Sequence, residues 1–141
     1  MIEFIVYGEP TAKGRPKFRR VKTNSGKEFV NTYTPGKTRK AEESFQAQAI
    51  QFRPEKPLDG ALRLELAIYR SIPKSFSKKK RIAAISQDIF PVTKPDCDNY
   101  SKLIQDAMNT IFYRDDSQIV CKTVQKFYSE IPRVVVRLDY R

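Results

Sequence analysis

The sequence predicts a fold that combines helices and strands within one domain. Its 141 residues suit a single folded unit, and 40% of them are hydrophobic, which is enough to build a core. Residues 62–69 alternate between leucine or isoleucine and mostly polar side chains, a pattern typical of a half-buried strand. Residues 103–112 instead repeat their apolar side chains at helical spacing. Because both periods occur in one chain, we expect a mixed fold over residues 1–141.

The first third of the chain is predicted to hold a strand, a basic turn-rich segment and a helix. Residues 2–7 form a short apolar run of the strand type. Residues 8–37 contain seven Gly and Pro residues, which favours a long basic loop or an irregular hairpin. Thr38 is a candidate cap for a helix that runs to about Phe52. Residues 53–60 then connect this helix to the alternating strand.

The C-terminal half is predicted to hold two helices followed by two strands. A short basic helix is expected within residues 75–87, after Ser75 or Ser77. The helix with the strongest apolar face is expected to end near Phe112, with Asp98 or Asn99 as its cap. Two strands follow, and the short connection between them predicts an antiparallel hairpin. These strands are residues 118–128 and 133–140.

The charge of the chain points to a polyanionic partner. The net charge is +11, from 27 Lys and Arg against 16 Asp and Glu, and nucleic acid is the most plausible partner for such a surface. The alternative is a merely soluble basic surface. Residues 1–40 carry ten Lys and Arg against three acids, whereas residues 92–118 gather five aspartates against three basic residues. This acidic segment in a basic chain suggests a specific site.

Composition also excludes several kinds of chemistry. The chain has no histidine, so Ser-His-Asp and Cys-His systems, the usual zinc hydrolase sites and imidazole-dependent nucleases cannot be built. Its two isolated cysteines do not form a disulfide framework. The longest apolar run is four residues, which argues against a membrane span or a signal peptide and favours a cytoplasmic protein. Catalysis must therefore use carboxylates, lysine or a bound hard metal ion.

The most informative segment is Lys94-Pro-Asp-Cys-Asp-Asn-Tyr-Ser-Lys102. Because Pro95 disfavours helix in the preceding residue, the segment is expected to arrive extended, with Asp96 and Asp98 on one side. Lys102 lies one helical turn after Asp98. Clustered carboxylates would repel a polyanion unless a divalent cation lay between them, and Mg²⁺ prefers such oxygen ligands. A bound Mg²⁺ supports phosphodiester hydrolysis.

Each acidic residue also has an ordinary structural explanation. Asp98 is well suited to be only a helix cap, and Asp115-Asp116 to be turn residues after the helix. Lys102 is equally suited to a surface ion pair with Asp98 or Asp106, worth ~0.3–0.5 kcal/mol. Taken together in a basic chain, these structural explanations are less convincing than a site.

The motifs resemble one known family. The segment from Lys94 to Lys102, followed by Gln-Asp106-Ala-Met-Asn and by Tyr113-Arg-Asp-Asp-Ser-Gln-Ile119, is similar to the core of the RusA family of Holliday-junction resolvases, metal-dependent endodeoxyribonucleases of bacteria and their phages. The opening Tyr7-Gly-Glu-Pro-Thr-Ala-Lys-Gly-Arg-Pro-Lys17 also resembles the basic N-terminal loop of some members. The resemblance implies an α+β homodimer with a small mixed sheet of about four strands flanked by two or three helices.

The resemblance also assigns roles to individual residues. The three essential aspartates of the family fall on Asp96, Asp98 and Asp116, which would hold Mg²⁺, with Mn²⁺ as a substitute. The essential lysine falls on Lys102, which would stabilise the transition state or orient the scissile phosphate. Asp115 would orient the metal ligands. No small-molecule cofactor is implied.

The implied function is resolution of four-way DNA junctions in recombination and repair, in a bacterial or phage-encoded enzyme. A symmetric dimer suits this substrate because two equivalent sites can nick two equivalent strands. We expect the DNA backbone to be bound by basic residues of two segments. These are Lys13, Arg15, Lys17, Arg19, Arg20, Lys78, Lys79, Lys80 and Arg81. A non-catalytic basic DNA-binding protein is the alternative. A restriction-type nuclease is disfavoured, because no acidic residue here has lysine two positions later.

Overall fold

A computed structural model gives the fold and describes residues 1–14, 17–22, 26, 28–33 and 36–141, with only the backbone of residues 17–22 and 28–33. The strands and helices are, in chain order, β1 (Ile2–Tyr7), β2 (Lys17–Lys22), β3 (Glu28–Tyr33), α1 (Gly36–Ala49), β4 (Leu62–Ser71), α2 (Lys78–Ile85), α3 (Cys97–Met108), β5 (Ile119–Ser129) and β6 (Arg133–Tyr140). Short 3₁₀ turns lie at Ile50–Phe52 and Asp116–Gln118.

A mixed four-stranded sheet forms the centre of the molecule. Its strand order is β1-β6-β4-β5, in which β4 and β5 are parallel and the other neighbours are antiparallel. Strands β2 and β3 form a separate antiparallel pair, so the basic segment after β1 contains a hairpin rather than only a loop. The α+β prediction, with about four strands in a mixed sheet and two or three helices, is confirmed in the described part of the chain.

The predicted antiparallel hairpin of the last two strands is wrong. Both strands exist, but β4 lies between them, and Leu66 of β4 is opposite Val136 on one side and Val124 on the other. The four apolar residues of β4 that face the helices are at most 2% exposed, which suits the centre of a sheet. Two strand spacings amount to ~10 Å, and the short connection can span that distance without pairing its flanking strands.

Two helix boundaries also differ from the prediction. Helix α1 already begins at Gly36, so Thr38 lies inside it, buried, and its hydroxyl accepts a hydrogen bond from the Gly14 amide at 2.9 Å. Helix α3 ends at Met108 rather than near Phe112. Phe112 nevertheless belongs to the core, where its ring stacks on Phe4 at 5.3 Å. Its burial explains why the apolar pattern continued past the helix.

The short basic helix predicted within residues 75–87 is present as α2. Ser77, one of two candidates, caps α2 and accepts a hydrogen bond from the Lys80 amide. Helices α1 and α3 pack against each other, and α3 also packs against β5. No helix in the described ranges has the length and apolarity needed to cross a membrane.

Candidate active site at the start of helix α3

Asp96 is the cap of helix α3. Its backbone is extended, with φ −81° and ψ 168°, and one carboxylate oxygen accepts a hydrogen bond from the Asn99 amide at 2.8 Å. The prediction that Asp98 or Asn99 caps this helix is therefore wrong. A cap needs an extended backbone and an oxygen within reach of the third helical amide, and Asp96 already meets both requirements. Asp98 falls inside the first turn.

This helix start separates the two aspartates. Asp96 lines a groove, whereas Asp98 faces β5, where its carboxylate lies 4.0 Å from the Lys122 ammonium. The expectation that both point to one side assumed an extended chain at both residues. Two residues along a helix turn by about 200°, so the side chains diverge once the helix begins at Cys97. Both carboxylates are nevertheless exposed at the same end of α3.

The groove beside Asp96 has a mostly basic lining. It encloses about 910 Å³ between the segment after β1, the start of α1, the end of β4 and the start of α3. Two acidic residues, Glu9 and Asp96, line it. Four basic residues do so as well, namely Lys13, Lys37, Arg70 and Lys94. The Lys13 ammonium is paired with acids, so the cations left to attract a phosphodiester backbone beside Asp96 are Lys37, Arg70 and Lys94.

The chain just before Asp96 is fixed by two basic side chains of the sheet. Arg70 donates to the Thr93 carbonyl at 2.9 Å, and Lys126 donates to the carbonyls of Thr93 and Pro95, each at 3.1 Å. The carboxyl ends of the parallel strands β4 and β5 therefore carry this segment. In open sheets with parallel strands, ligand sites commonly lie at such an edge.

Lys122, not Lys102, is the lysine close to Asp98. The Lys122 ammonium also donates to the Ser101 hydroxyl at 3.1 Å and to the Gln105 side chain at 3.2 Å. Lys102 is exposed on the surface of α3. The ordinary alternative, an ion pair of Lys102 with Asp98 or Asp106, is not the arrangement found, because those aspartates lie beside Lys122 and Lys13 respectively.

At the other end of α3, Asp106 already has a partner. Asp106 accepts a hydrogen bond from Lys13, whose ammonium also lies 3.8 Å from Glu42. The hydrogen bond that Lys13 donates to Asp106 is the main reason that the pKa of Lys13 is raised, against the opposing effect of burial. Burial raises the pKa of Glu42, although Lys13 acts in the opposite direction. Lys13 thus serves an internal ion pair.

Asp115 and Asp116 also lie at this second end. Asp115 caps the 3₁₀ turn and accepts a hydrogen bond from the Ser117 amide at 3.0 Å, while hydrogen bonding to Ser117 lowers the pKa of Asp115. The buried Tyr113 hydroxyl donates to the Gln105 carbonyl at 2.7 Å. Burial raises the pKa of Tyr113, and the negative charge of Asp116 adds to this rise. Helix α3 has 12 residues and spans about 18 Å, and Asp116, which affects the pKa of Tyr113, lies toward the end of the helix far from Asp96.

The first end of α3 offers carboxylate oxygens to a hard cation, but the described structure does not join all three predicted ligands. Within the ranges that the structure describes, no three His, Cys, Asp or Glu side chains are grouped closely enough to hold a metal ion. Asp96 keeps one oxygen not used by the cap, and Asp98 is exposed. Mg²⁺ is commonly held by one or two carboxylates together with water and substrate phosphates. The assignment of Asp96, Asp98 and Asp116 as joint ligands stays a prediction.

The predicted DNA-binding residues fall into three groups. Lys78, Lys79 and Lys80 are exposed on α2, while Arg81 is partly buried and lies 3.7 Å from Glu130. Lys13 is used internally, as described above. Arg15 lies outside the described residues, as do the side chains of the remaining predicted residues, which are Lys17, Arg19 and Arg20.

Sequence reasoning missed most of the basic residues around Asp96. Lys37, Arg70, Lys94, Lys122 and Lys126 all lie at the groove or beside the start of α3. They come from α1, β4, β5 and the segment before α3, so no single local pattern joins all of them. The one available signal was Lys122 and Lys126 in a strand directly after the acidic segment.

Comparison with known proteins identifies the family of the chain. A family profile described as endodeoxyribonuclease RusA matches residues 7–139, which include every candidate residue named above. The chain is also 44% identical over 139 residues to the uncharacterized protein YqaN of Bacillus subtilis (strain 168), covering 97% of this chain and 94% of that protein. The match to the family spans nearly the whole chain, and the chain therefore belongs to the RusA family of endodeoxyribonucleases.

Proposed function

We propose that this protein is a Mg²⁺-dependent, structure-selective endodeoxyribonuclease that resolves four-way DNA junctions in recombination and repair. The observation that carries the proposal is the Asp96 carboxylate in a groove lined by four basic side chains. A non-catalytic DNA clamp has no use for exposed carboxylates at that position, because they repel the backbone that the basic residues attract.

Asp96, Asp98 and Asp116 are the proposed metal ligands. The bound ion would activate water and neutralise charge on the phosphate. The chain contributes the alignment: the cap hydrogen bond to Asn99 orients Asp96, and Lys122 lies beside Asp98. Asp115 is proposed to orient Asp116, because the two residues start the same 3₁₀ turn. Lys102, exposed on α3, is proposed to contact the scissile phosphate.

The proposed enzyme is a homodimer that acts in the cytoplasm of a bacterium or an infected host. Two equivalent sites suit the two-fold symmetry of a four-way junction. In one chain Asp116 lies at the opposite end of α3 from Asp96, so joint coordination requires a rearrangement or the second subunit to bring such a carboxylate to the first end. Mn²⁺ is expected to replace Mg²⁺, since it accepts the same oxygen ligands.

The deciding experiment is cleavage of a synthetic four-way junction by the wild-type protein and by Asp98→Asn. With Mg²⁺ the wild type should nick opposite strands of the junction and leave linear duplex intact, and with Ca²⁺ or EDTA it should only bind. Asp98→Asn should bind at least as tightly as the wild type, because a negative charge is removed, but should not cleave. Normal cleavage by Asp98→Asn would show that the ligand assignment is wrong, and binding without cleavage by the wild type would favour the clamp.

A further inference from the structure

Two basic residues of the sheet converge on the three residues that precede Asp96. We infer that Arg70 and Lys126 are positioning residues that hold the Asp96 carboxylate in its orientation toward a divalent cation. They act through the carbonyls of Thr93 and Pro95. This inference rests on the proposed function, because it takes Asp96 as a metal ligand.

The contacts are specific and come from neighbouring strands. Lys126 lies opposite Ile68 in the parallel register of β4 and β5, and Arg70 lies two residues beyond Ile68, so both side chains leave the same face of the sheet. The Thr93 carbonyl accepts from both, at 2.9 Å from Arg70 and 3.1 Å from Lys126. Arg70 also lies 3.4 Å from the Thr93 hydroxyl.

The segment has few other ways to be held. It belongs to no strand, and Pro95 has no amide hydrogen to donate. The structure anchors it through the carbonyl oxygens of Thr93 and Pro95, and hydrogen bonds from cationic donors to such oxygens are stronger than neutral ones. The Lys126 bond to Pro95 reaches the residue directly before Asp96. Hydrogen bonds one step removed from a metal commonly fix the orientation of its ligands.

A direct role in DNA binding is the alternative for both residues. Arg70 lines the groove, so a phosphate contact is sterically reasonable there. Lys126 is partly buried, and its ammonium already donates to two carbonyls. Positioning and DNA binding predict different losses. A positioning residue changes metal affinity and leaves DNA affinity nearly unchanged, whereas a phosphate contact does the reverse.

The test compares Arg70→Met and Lys126→Met with the wild type in two assays. The first is Mn²⁺ binding without DNA, followed by electron paramagnetic resonance of the free ion. The second is the Mg²⁺ dependence of junction cleavage at saturating DNA. We expect the Mn²⁺ affinity and the Mg²⁺ requirement to worsen by about 10–100-fold, as for other partners of metal ligands. The maximal rate should recover at high Mg²⁺, and junction affinity in Ca²⁺ should change less than about twofold, unlike the loss of a phosphate contact.

Conservative and distant variants serve as controls. Lys126→Arg keeps a cationic donor and should restore most of the metal affinity, as should Arg70→Lys. Lys56→Met, which removes an exposed lysine in the connection after α1, should match the wild type. If a Met variant does not fold by circular dichroism, Gln replaces Met at the same position, since it keeps a neutral donor.

The anchoring of the segment before Asp96 by Arg70 and Lys126 can be tested without metal or DNA. Because the Asn99 amide donates to Asp96, its hydrogen exchange reports how firmly that carboxylate is held. Faster exchange at Asn99 in Lys126→Met, reversed in Lys126→Arg, supports the inference. Unchanged exchange together with unchanged Mn²⁺ affinity overturns it, as does a loss of junction affinity alone. A wild type that neither binds Mn²⁺ nor cleaves would instead refute the proposed function. The exchange result would still show whether Arg70 and Lys126 hold the Asp96 carboxylate.

Discussion

The two ends of helix α3 carry similar acids in different states. At the first end, Asp96 and Asp98 are exposed. Lys126 donates to a backbone carbonyl rather than to Asp96, and Lys122 lies 4.0 Å from the Asp98 carboxylate. At the second end, Asp106 is bound to Lys13, and Asp115 is bound to the turn that it caps. The difference teaches that counting carboxylates does not locate a metal site. What matters is which oxygens remain free after the chain has used its own donors.

The largest expected effect is the loss of cleavage when the negative charge of Asp96, at the first end of α3, is removed. Asp96→Asn keeps a good capping side chain but removes the negative charge, so α3 should remain intact. Cleavage of a junction should fall by more than about 100-fold, because even indirect partners of metal ligands contribute 10–100-fold. Far-ultraviolet circular dichroism and a cleavage time course measure the two properties.

Asp106→Asn is the matched change at the second end. It should leave the cleavage rate within about threefold of the wild type, because Asp106 is occupied by Lys13 rather than by a substrate or metal. If Asp106→Asn abolished cleavage and Asp96→Asn did not, the catalytic end of the helix would have been assigned the wrong way round.

Local sequence patterns predicted the elements well but not how they are arranged. The alternation in β4 and the apolar face of α3 are properties of short segments, and both elements are present. The position of β4 between β5 and β6 depends instead on which apolar faces meet in the core. A short connection after β5 allows β5 and β6 to pair directly, and it also allows β6 to lie on the far side of β4. Its length therefore could not decide between the two arrangements.

In the site too, residues close together in the sequence could be predicted, whereas residues brought together by the fold could not. Asp96, Asp98 and Lys102 could be named because they lie within seven residues of one another. Arg70 and Lys126 reach the same place only because two parallel strands end beside the start of α3. The capping role of Asp96 was missed because Asp and Asn at neighbouring positions compete for one geometry, and the folded backbone decides among them.

The next prediction tests whether the ion pair of Lys13 stabilises the folded protein. Lys13→Met should lower the free energy of unfolding by about 1–2 kcal/mol, between the values for surface and buried ion pairs, because its partners are only about a quarter exposed. Urea unfolding measures this loss. Adding Asp106→Asn should recover part of the lost stability. Lys13→Met leaves the carboxylates of Asp106 and Glu42 without their shared cation, and Asp106→Asn removes one of these two negative charges. Additive losses would contradict the ion pair.

The pH dependence of this pair has a defined sign. The pKa of Lys13 is raised above its ordinary value of 10.5, so its contribution to stability is fully present below about pH 10.5 and is lost as the pH rises through the folded-state pKa. The difference in unfolding free energy between wild type and Lys13→Met should therefore shrink over the pH range above about 10.5. A difference that stays constant over this range would contradict the proposed interaction.

The smallest expected effect concerns DNA affinity at the first end. Lys94 is exposed and lines the groove, so each phosphate that it neutralises should contribute about 0.9 to the salt dependence of binding. Lys94→Met should weaken junction binding about fivefold at 0.15 M salt and reduce the slope of log K against log salt by about 0.9, measured in Ca²⁺ to prevent cleavage. Lys13→Met should leave this slope unchanged, because its ammonium is held by Asp106 and Glu42. If Lys13→Met lowered the slope and Lys94→Met did not, the DNA would have to contact the groove beside Lys13 rather than beside Lys94.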